Sequence, residues 1–334
     1  MSVLVSVSCI TYNHEPYIRA CLDGFLMQKT NFPIEVIIYD DCSTDGTKEI
    51  IEEYVNRYPN IIFPAFQSEN QYSKGIRGIN ARFNFPRCRG KYIALCDGDD
   101  YWTDPFKLQK QADFLEMNHD YVVCSHDAKI IDVNGNVIKE SKLPNSFKKD
   151  ATSEELKKGF WLLTLGMMFK NLPILSNYPK EGYRVLNGDI FLISILGQFG
   201  KGKYMNDIEP AFYREHSGGI WSMTSIKLKK INNFNTLFLI AKYYESLGDK
   251  VSRQLFSNCY IKGYWIFLSG FNYNWNFSSQ LKILKYTFVS FIKIKSFKYI
   301  LNGVYKTFVL LLKKIVLFLI NKGNRIFSNL ESTN

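Results

Sequence analysis

Apolar and polar positions along the first two-thirds of the chain fall into alternating blocks of strand and helix period. Val3 to Ile10 is an apolar, β-branched run that ends in Thr11, Tyr12, Asn13 and His14, which predicts a central strand. Residues 16–27 follow with Ile18, Cys21, Leu22, Phe25 and Leu26 on one helical face. Ile34 to Tyr39 predicts a second strand that closes in Asp40-Asp41-Cys42-Ser43-Thr44-Asp45-Gly46-Thr47. Asp45 or Thr47 can cap a helix running to about Tyr58. Ile61 to Phe66 predicts a third strand, followed by a stretch carrying Arg77, Arg82, Arg87 and Arg89. Tyr92 to Cys96 reads as a strand buried on both faces, and it stops at Asp97-Gly98-Asp99-Asp100. Strands alternating with helices imply an α/β fold with a mostly parallel sheet and right-handed crossovers.

The pattern continues with a helix over 105–116, strands over 121–124 and 130–133, and a hairpin signal at Asn134-Gly135. Residues 161–169 are expected to cross beneath the cleft, and Asn187-Gly188-Asp189 opens a helix through Leu196. Residues 234–244 and 251–268 predict two helices joined by Leu247-Gly248-Asp249. From Leu281 to Phe327 apolar residues alternate with lysines, and Lys295, Asn302, Lys306 and Lys313 share one helical face. A spanning helix needs ~20 mostly apolar residues, and no charge-free run here reaches that. The expectation is a basic amphipathic helix lying in a membrane interface. An ordinary packing helix with a solvated basic face is the alternative. This divides the chain into an α/β domain over 1–225 and a basic helical region over 226–334.

Charge sharpens that division. The net charge is +11, yet residues 250–325 hold thirteen Lys or Arg and no Asp or Glu, leaving 29 basic against 30 acidic residues up to position 249. Such asymmetry points to an anionic partner surface, and a membrane is preferred to nucleic acid because no nucleic-acid module accompanies the charge. The seven cysteines are scattered without a C-x-x-C pair, which argues for a reducing cytosol and against zinc. No signal-peptide pattern opens the sequence.

Three strand ends, at Thr11-Tyr12, Asp40-Asp41 and Asp97 to Asp100, deliver polar clusters to one edge of the sheet. Ligands of open α/β sheets bind at that edge. Carboxylates this crowded repel one another unless a cation sits among them, and Mg²⁺ or Mn²⁺ suits such oxygen ligands. Taken singly, each cluster also reads as an acidic turn or helix cap. No G-x-G-x-x-G follows the first strand and no Walker A sequence is present, which disfavours a Rossmann dinucleotide site and a P-loop. Asp189 reads as a helix-start carboxylate or as a base. His216, beside Gly218-Gly219, reads as a metal or diphosphate contact on a closing loop, or as a structural histidine.

Five segments carry a resemblance. They are Cys-Ile-Thr-Tyr-Asn-His at 9–14, Tyr-Asp-Asp-Cys-Ser-Thr-Asp-Gly-Thr at 39–47, the stretch from Gly90 to Trp102, Asn-Gly-Asp at 187–189, and Tyr-Arg-Glu-His-Ser-Gly-Gly-Ile-Trp-Ser at 213–222. Together the chain resembles a family-2 glycosyltransferase with the GT-A fold. The resemblance implies that Asp41, with Asp40 beside it, faces the nucleotide base, that Thr11 and Tyr12 line that end, and that Asp97 assists the donor. It implies a divalent metal held by Asp99, with Asp97 and Asp100 assisting through the ribose, water or the metal; His216 is a further candidate metal ligand on its own loop, and Arg214 beside it can neutralise the departing diphosphate. Asp189 takes the position of the base that deprotonates the acceptor hydroxyl, although the family motif more often reads Glu-Asp than Gly-Asp. The Gln/Arg-x-x-Arg-Trp motif of processive synthases is absent, which implies single transfers.

The function expected from this is inverting, Mn²⁺- or Mg²⁺-dependent transfer from a nucleoside-diphosphate sugar, of UDP type, to a hydroxyl of a glycan acceptor. The acceptor is expected to be lipid-linked, in bacterial surface-polysaccharide synthesis, with the enzyme peripheral on the cytoplasmic face of the cell membrane. The rival readings are a nucleotidyltransferase-like enzyme and a non-catalytic basic scaffold.

Overall fold

The computed structural model describes residues 2–219, 221–270 and 277–294. The β-branched runs form β1 (Val5–Thr11), β2 (Ile34–Asp40), β3 (Ile62–Phe66) and β4 (Tyr92–Leu95). They alternate with α1 (Ile18–Leu26), α2 (Thr47–Arg57) and α3 (Lys107–Met117). Beyond them come β5 (Tyr121–Ser125), β6 (Ala128–Ile131), β7 (Val137–Lys139), the short helix α4 (Ser153–Lys157) and β8 (Met168–Lys170). The chain continues with α5 (Pro173–Ser176), α6 (Gly188–Leu196), β9 (Lys201–Tyr204) and β10 (Ala211–Arg214). It ends, within the described residues, in α7 (Ile226–Ser246), α8 (Val251–Gly270) and α9 (Phe277–Ile294).

The main sheet runs β3-β2-β1-β4-β8-β5-β9. All neighbours are parallel except β8, which lies antiparallel between β4 and β5. β8 is the end of the 161–169 segment, so that segment finishes inside the sheet. A smaller sheet, β10-β6-β7, crosses the carboxyl end of β4 through a bridge between Tyr101 and Phe212. Its β6–β7 hairpin turns at Gly135, whose φ of 87° lies in the left-handed region open to glycine.

The apolar stripe of α1 (Ile18, Cys21, Leu22, Phe25) is fully buried against one face of the sheet, and the Phe25 ring lies 4.9 Å from that of Trp102. Burying each large side chain contributes roughly 1.5–3 kcal/mol. Residues of the opposite face, including Ile93 and Phe169, share a core with Phe191 of α6, Phe234 and Tyr244 of α7, Phe256 of α8 and Ile283 of α9. The C-terminal helices are therefore continuous with the core beneath the sheet. α7 starts where Ser225 accepts a hydrogen bond from Leu228 N, and α7 and α8 form the expected helical hairpin.

The inner face of α9 buries Ile283, Thr287 and Ser290, while Leu281, Lys282, Lys285, Phe288 and Ile292 are exposed. Lys295, Asn302, Lys306 and Lys313, expected on one face of an interfacial helix, lie outside the described residues, as does the rest of 295–327. Among the described residues no helix is long and apolar enough to cross a membrane.

Candidate active site

In the sheet, β2, β1 and β4 are adjacent and parallel, so their three polar clusters end on one edge. The loop after β1 is stitched to the loop after β2. Asn13 takes a left-handed φ of 54°, and its Oδ1 accepts from Thr44 N at 2.8 Å. Asn13 N donates to Ser43 Oγ and His14 N to Thr47 Oγ1. This turn aims His14 back over the sheet edge.

The acid turn after β4 closes beneath it. Gly98 N donates to Ile10 O at 2.9 Å, and a Cβ at Gly98 would stand 2.7 Å from Thr11 Oγ1 and 3.0 Å from His14 Nδ1. Glycine is required here by close approach. Asp99 Oδ2 faces two imidazoles, His216 Nε2 at 3.1 Å and His14 Nε2 at 3.8 Å. The three ligand atoms of His14, Asp99 and His216 lie within 4.8 Å of one another. Burial alone would raise Asp99, but the His216 hydrogen bond and both nearby imidazoles outweigh it and hold the carboxyl below its ordinary value. Burial likewise depresses His14, against the pull of Asp99, which favours the neutral imidazole that a metal needs. His14 Nδ1 lies 3.1 Å from Thr11 Oγ1, so with Nε2 as ligand atom Nδ1 donates to the threonine and fixes the ring. One carboxylate and two imidazoles form a mixed O/N set that suits Mn²⁺, which accepts nitrogen ligands, better than Mg²⁺.

The other expected residues fall around this trio. Asp97 is pushed up to about 7 by burial, then by the charges of Asp99 and Asp189. Asp189, in the first turn of α6, is raised by burial, with the Ile190 and Asp189 backbone amides offsetting part of the effect. Its influence on Asp97 brings the helix-start carboxylate into the same electrostatic environment as the acid turn. Tyr12 is exposed, and Thr11 is buried on the histidine.

Asp40 and Asp41 are buried and hold backbone. Asp40 accepts from Ser43 N and Oγ. Asp41 accepts from Tyr39 Oη, Gln71 N and Tyr72 N. A carboxylate has about four acceptor positions, so three donors leave Asp41 room for one more.

Asp100 is buried, with Oδ1 accepting from Arg214 N at 2.9 Å, and stands outside the His14–Asp99–His216 trio. Arg214 is also buried. Its Nε donates to Asp99 O and its Nη1 to Asp132 O and Val133 O, and its guanidinium packs 4.6 Å from the centre of the Tyr17 ring. Its place is behind the acid turn, which it ties to the β6–β7 hairpin. Of the basic stretch, Arg87 donates to Ile38 O and Phe63 O, and Arg89 pairs with the buried Glu35. Both brace the sheet. His14 is the residue that the sequence reading left out of the site. Its signal was a histidine directly after a strand-end Asn able to adopt a left-handed turn.

Residues 6–170 match the family model "Glycosyl transferase family 2". Uncharacterized proteins of Mycobacterium bovis and Mycobacterium tuberculosis are 38% identical to this protein over 220 residues, 65% of this chain and 60% of each relative. The chain thus spans about 60% of the length of those relatives. Poly(ribitol-phosphate) beta-N-acetylglucosaminyltransferase TarS of Staphylococcus aureus is 31% identical over 163 residues, 48% of this chain and 26% of that protein. The crystal structure of S. aureus TarS 1–349 in complex with UDP superposes with a TM-score of 0.61 at 20% identity, covering 86% of this chain and 81% of that one. Mannosyltransferase PcManGT from Pyrobaculum calidifontis, in complex with GDP-Man and Mn²⁺, gives a TM-score of 0.52 at 16% identity, covering 96% and 81%. At these identities the structural likeness establishes the GT-A fold and nothing finer.

Proposed function

We propose that the protein is an inverting, metal-dependent glycosyltransferase that moves a sugar from a nucleoside-diphosphate sugar, of UDP type, to a hydroxyl of a glycan acceptor. The observation that carries this reading is the meeting of His14, Asp99 and His216 with Asp97 and Asp189 nearby, at the carboxyl edge of a glycosyl transferase family 2 domain. The trio would hold Mn²⁺, which when bound supplies positive charge to the diphosphate leaving group.

This chain's residues do the remainder. Tyr12 offers an exposed ring to the base, and the fourth acceptor position of Asp41 takes a base N–H. Asp97 lies within the influence of both Asp99 and Asp189 and orients the donor. Asp189 accepts the proton of the acceptor hydroxyl, and its burial raises its basicity for that step. Arg214 holds the Asp99 turn in place from behind and acts on the diphosphate only by positioning that turn.

The solved TarS complexes with UDP and with UDP-GlcNAc support a uridine donor. A relative named for teichuronic acid biosynthesis and one named a poly(ribitol-phosphate) beta-N-acetylglucosaminyltransferase support a polymeric acceptor, which in this reading is carried on a lipid. The exposed Leu281, Phe288 and Ile292 of α9, beside Lys285, support peripheral attachment to an anionic bilayer on the cytoplasmic face. A panel of nucleotide sugars incubated with and without Mn²⁺, read by nucleoside-diphosphate release into water, tests the proposal without a known acceptor. Turnover of one donor with Mn²⁺ alone is expected. Turnover of none overturns the reading.

A further inference from the structure

Behind the donor edge, a cleft of about 410 Å³ opens between the 72–77 loop, the segment before α6, and helices α7 and α9. A volume of that order accommodates a small ligand. Three cationic side chains line it, Arg77, Arg184 and Lys282, and no carboxylate does. None of the three forms an ion pair among the described residues. Arg77 donates to Tyr72 O and Ile76 O and packs 4.1 Å from the centre of the Tyr72 ring, while Arg184 and Lys282 are exposed. Two asparagines of α7 complete the wall. Asn232 Nδ2 and Asn235 Oδ1 are buried and have no hydrogen-bond partner among the described residues. Unpartnered buried amide atoms are costly, and these two lie beneath the wall of the cleft. Three cations with no acidic neighbour in the lining match an anionic ligand.

The cleft adjoins both halves of the proposed reaction. Tyr72, on one wall, has its backbone N–H held by Asp41 Oδ2 at 3.0 Å, at the nucleotide end. Leu186, on another wall, precedes Asn187, which caps the helix carrying Asp189. Asn187 Nδ2 in turn donates to Asn233 Oδ1, the neighbour of Asn232.

We infer that this cleft is an acceptor subsite for an anionic glycan or polyol, and that Arg77, Arg184 and Lys282 bind a phosphate or carboxylate of the acceptor while its hydroxyl reaches Asp189. The inference rests on the proposed transferase reading and adds the charge of the acceptor to it. Guanidinium groups take both anions in bidentate geometry, so the two sources share one chemistry.

Calorimetric titrations of the full chain, saturated with UDP and Mn²⁺ so that the donor site is filled, separate the possibilities. The probes are glycerol 1-phosphate, glucuronate and uncharged glycerol. One of the two anions is expected to bind, with affinity falling as NaCl rises, and glycerol is not. Which anion binds identifies a phosphate-bearing or a uronic-acid acceptor. The double variant Arg184→Ala/Lys282→Ala is expected to weaken that binding by about ten-fold or more, and Arg184→Lys/Lys282→Ala to retain part of it. Both side chains are exposed, and unchanged melting curves verify that the variants fold. Binding of neither anion, equal binding of glycerol, or an unaffected double variant overturns the inference. If UDP and Mn²⁺ bind the wild-type chain while neither anion does, the subsite fails and the transferase reading stands. If UDP itself does not bind, the failure lies with the transferase reading.

Discussion

His216 Nε2 lies 3.1 Å from Asp99 Oδ2, although the residues are 117 positions apart and follow strands of different sheets. The β10 strand reaches the acid turn because Tyr101 and Phe212 exchange backbone hydrogen bonds across the gap. His14 arrives from a third direction, off the end of β1. Two sheets thus assemble one mixed carboxylate–imidazole set, and its rigidity depends on neighbours that never touch a substrate.

Thr11 is the sharpest test of that dependence. Its Oγ1 lies 3.1 Å from His14 Nδ1 and fixes the ring that presents Nε2 to Asp99. Removing the outer partner of a metal-binding histidine lowers metal affinity roughly 10–100-fold. Thr11→Val should therefore weaken Mn²⁺ binding, measured by the spin-resonance signal of free Mn²⁺, with little change in melting temperature. Gly98→Ala should weaken it further, because the new Cβ meets both Thr11 and His14. Wild-type affinity in Thr11→Val would remove His14 from the metal set.

Asp189 should act in the chemical step and not in donor affinity. Its carboxyl is raised by burial and sits at the start of α6. Asp189→Asn keeps the volume and removes the base, so transfer should fall by about 10²–10⁴ while UDP binds as before. A variant with near-normal transfer and weakened UDP affinity would place Asp189 at the donor instead.

Stability on the acid side should depend on a histidine outside the site. His126 is buried, its Nδ1 donates to Asp127 O at 2.8 Å, and its Nε2 has no partner. Burial, helped by the charge of Lys107, pushes it down to about 3. The unfolded chain binds a proton on this ring below about pH 6.5, whereas the folded chain resists until about pH 3, so stability falls with pH across that window. By pH 5 the loss is about 2 kcal/mol. His126→Gln should show that much less destabilisation between pH 7 and pH 5 in urea titrations. Parallel curves for the two proteins would contradict it.

The strands were legible because β-branched runs buried on both faces have few alternatives, and the three strand-end clusters converge as their spacing required. The insertion of β8 was not, since three residues pairing antiparallel with β4 and β5 carry no local signature. Asp99 and His216 could be read from their segments, whereas His14 is brought in by the left-handed turn at Asn13, which only the folded loop displays. Arg214, in the segment carrying His216, reads as a cation for the departing diphosphate. Its guanidinium is instead engaged by three carbonyls, a fact of tertiary packing.

The most direct test is nucleoside-diphosphate release from the preferred nucleotide sugar by protein stripped with EDTA and then supplied with Mn²⁺, for the wild type and Asp99→Asn. The account predicts turnover by the wild type only after Mn²⁺ is restored, and none by Asp99→Asn under either condition. Equal turnover in EDTA, or turnover by Asp99→Asn with Mn²⁺, would contradict it.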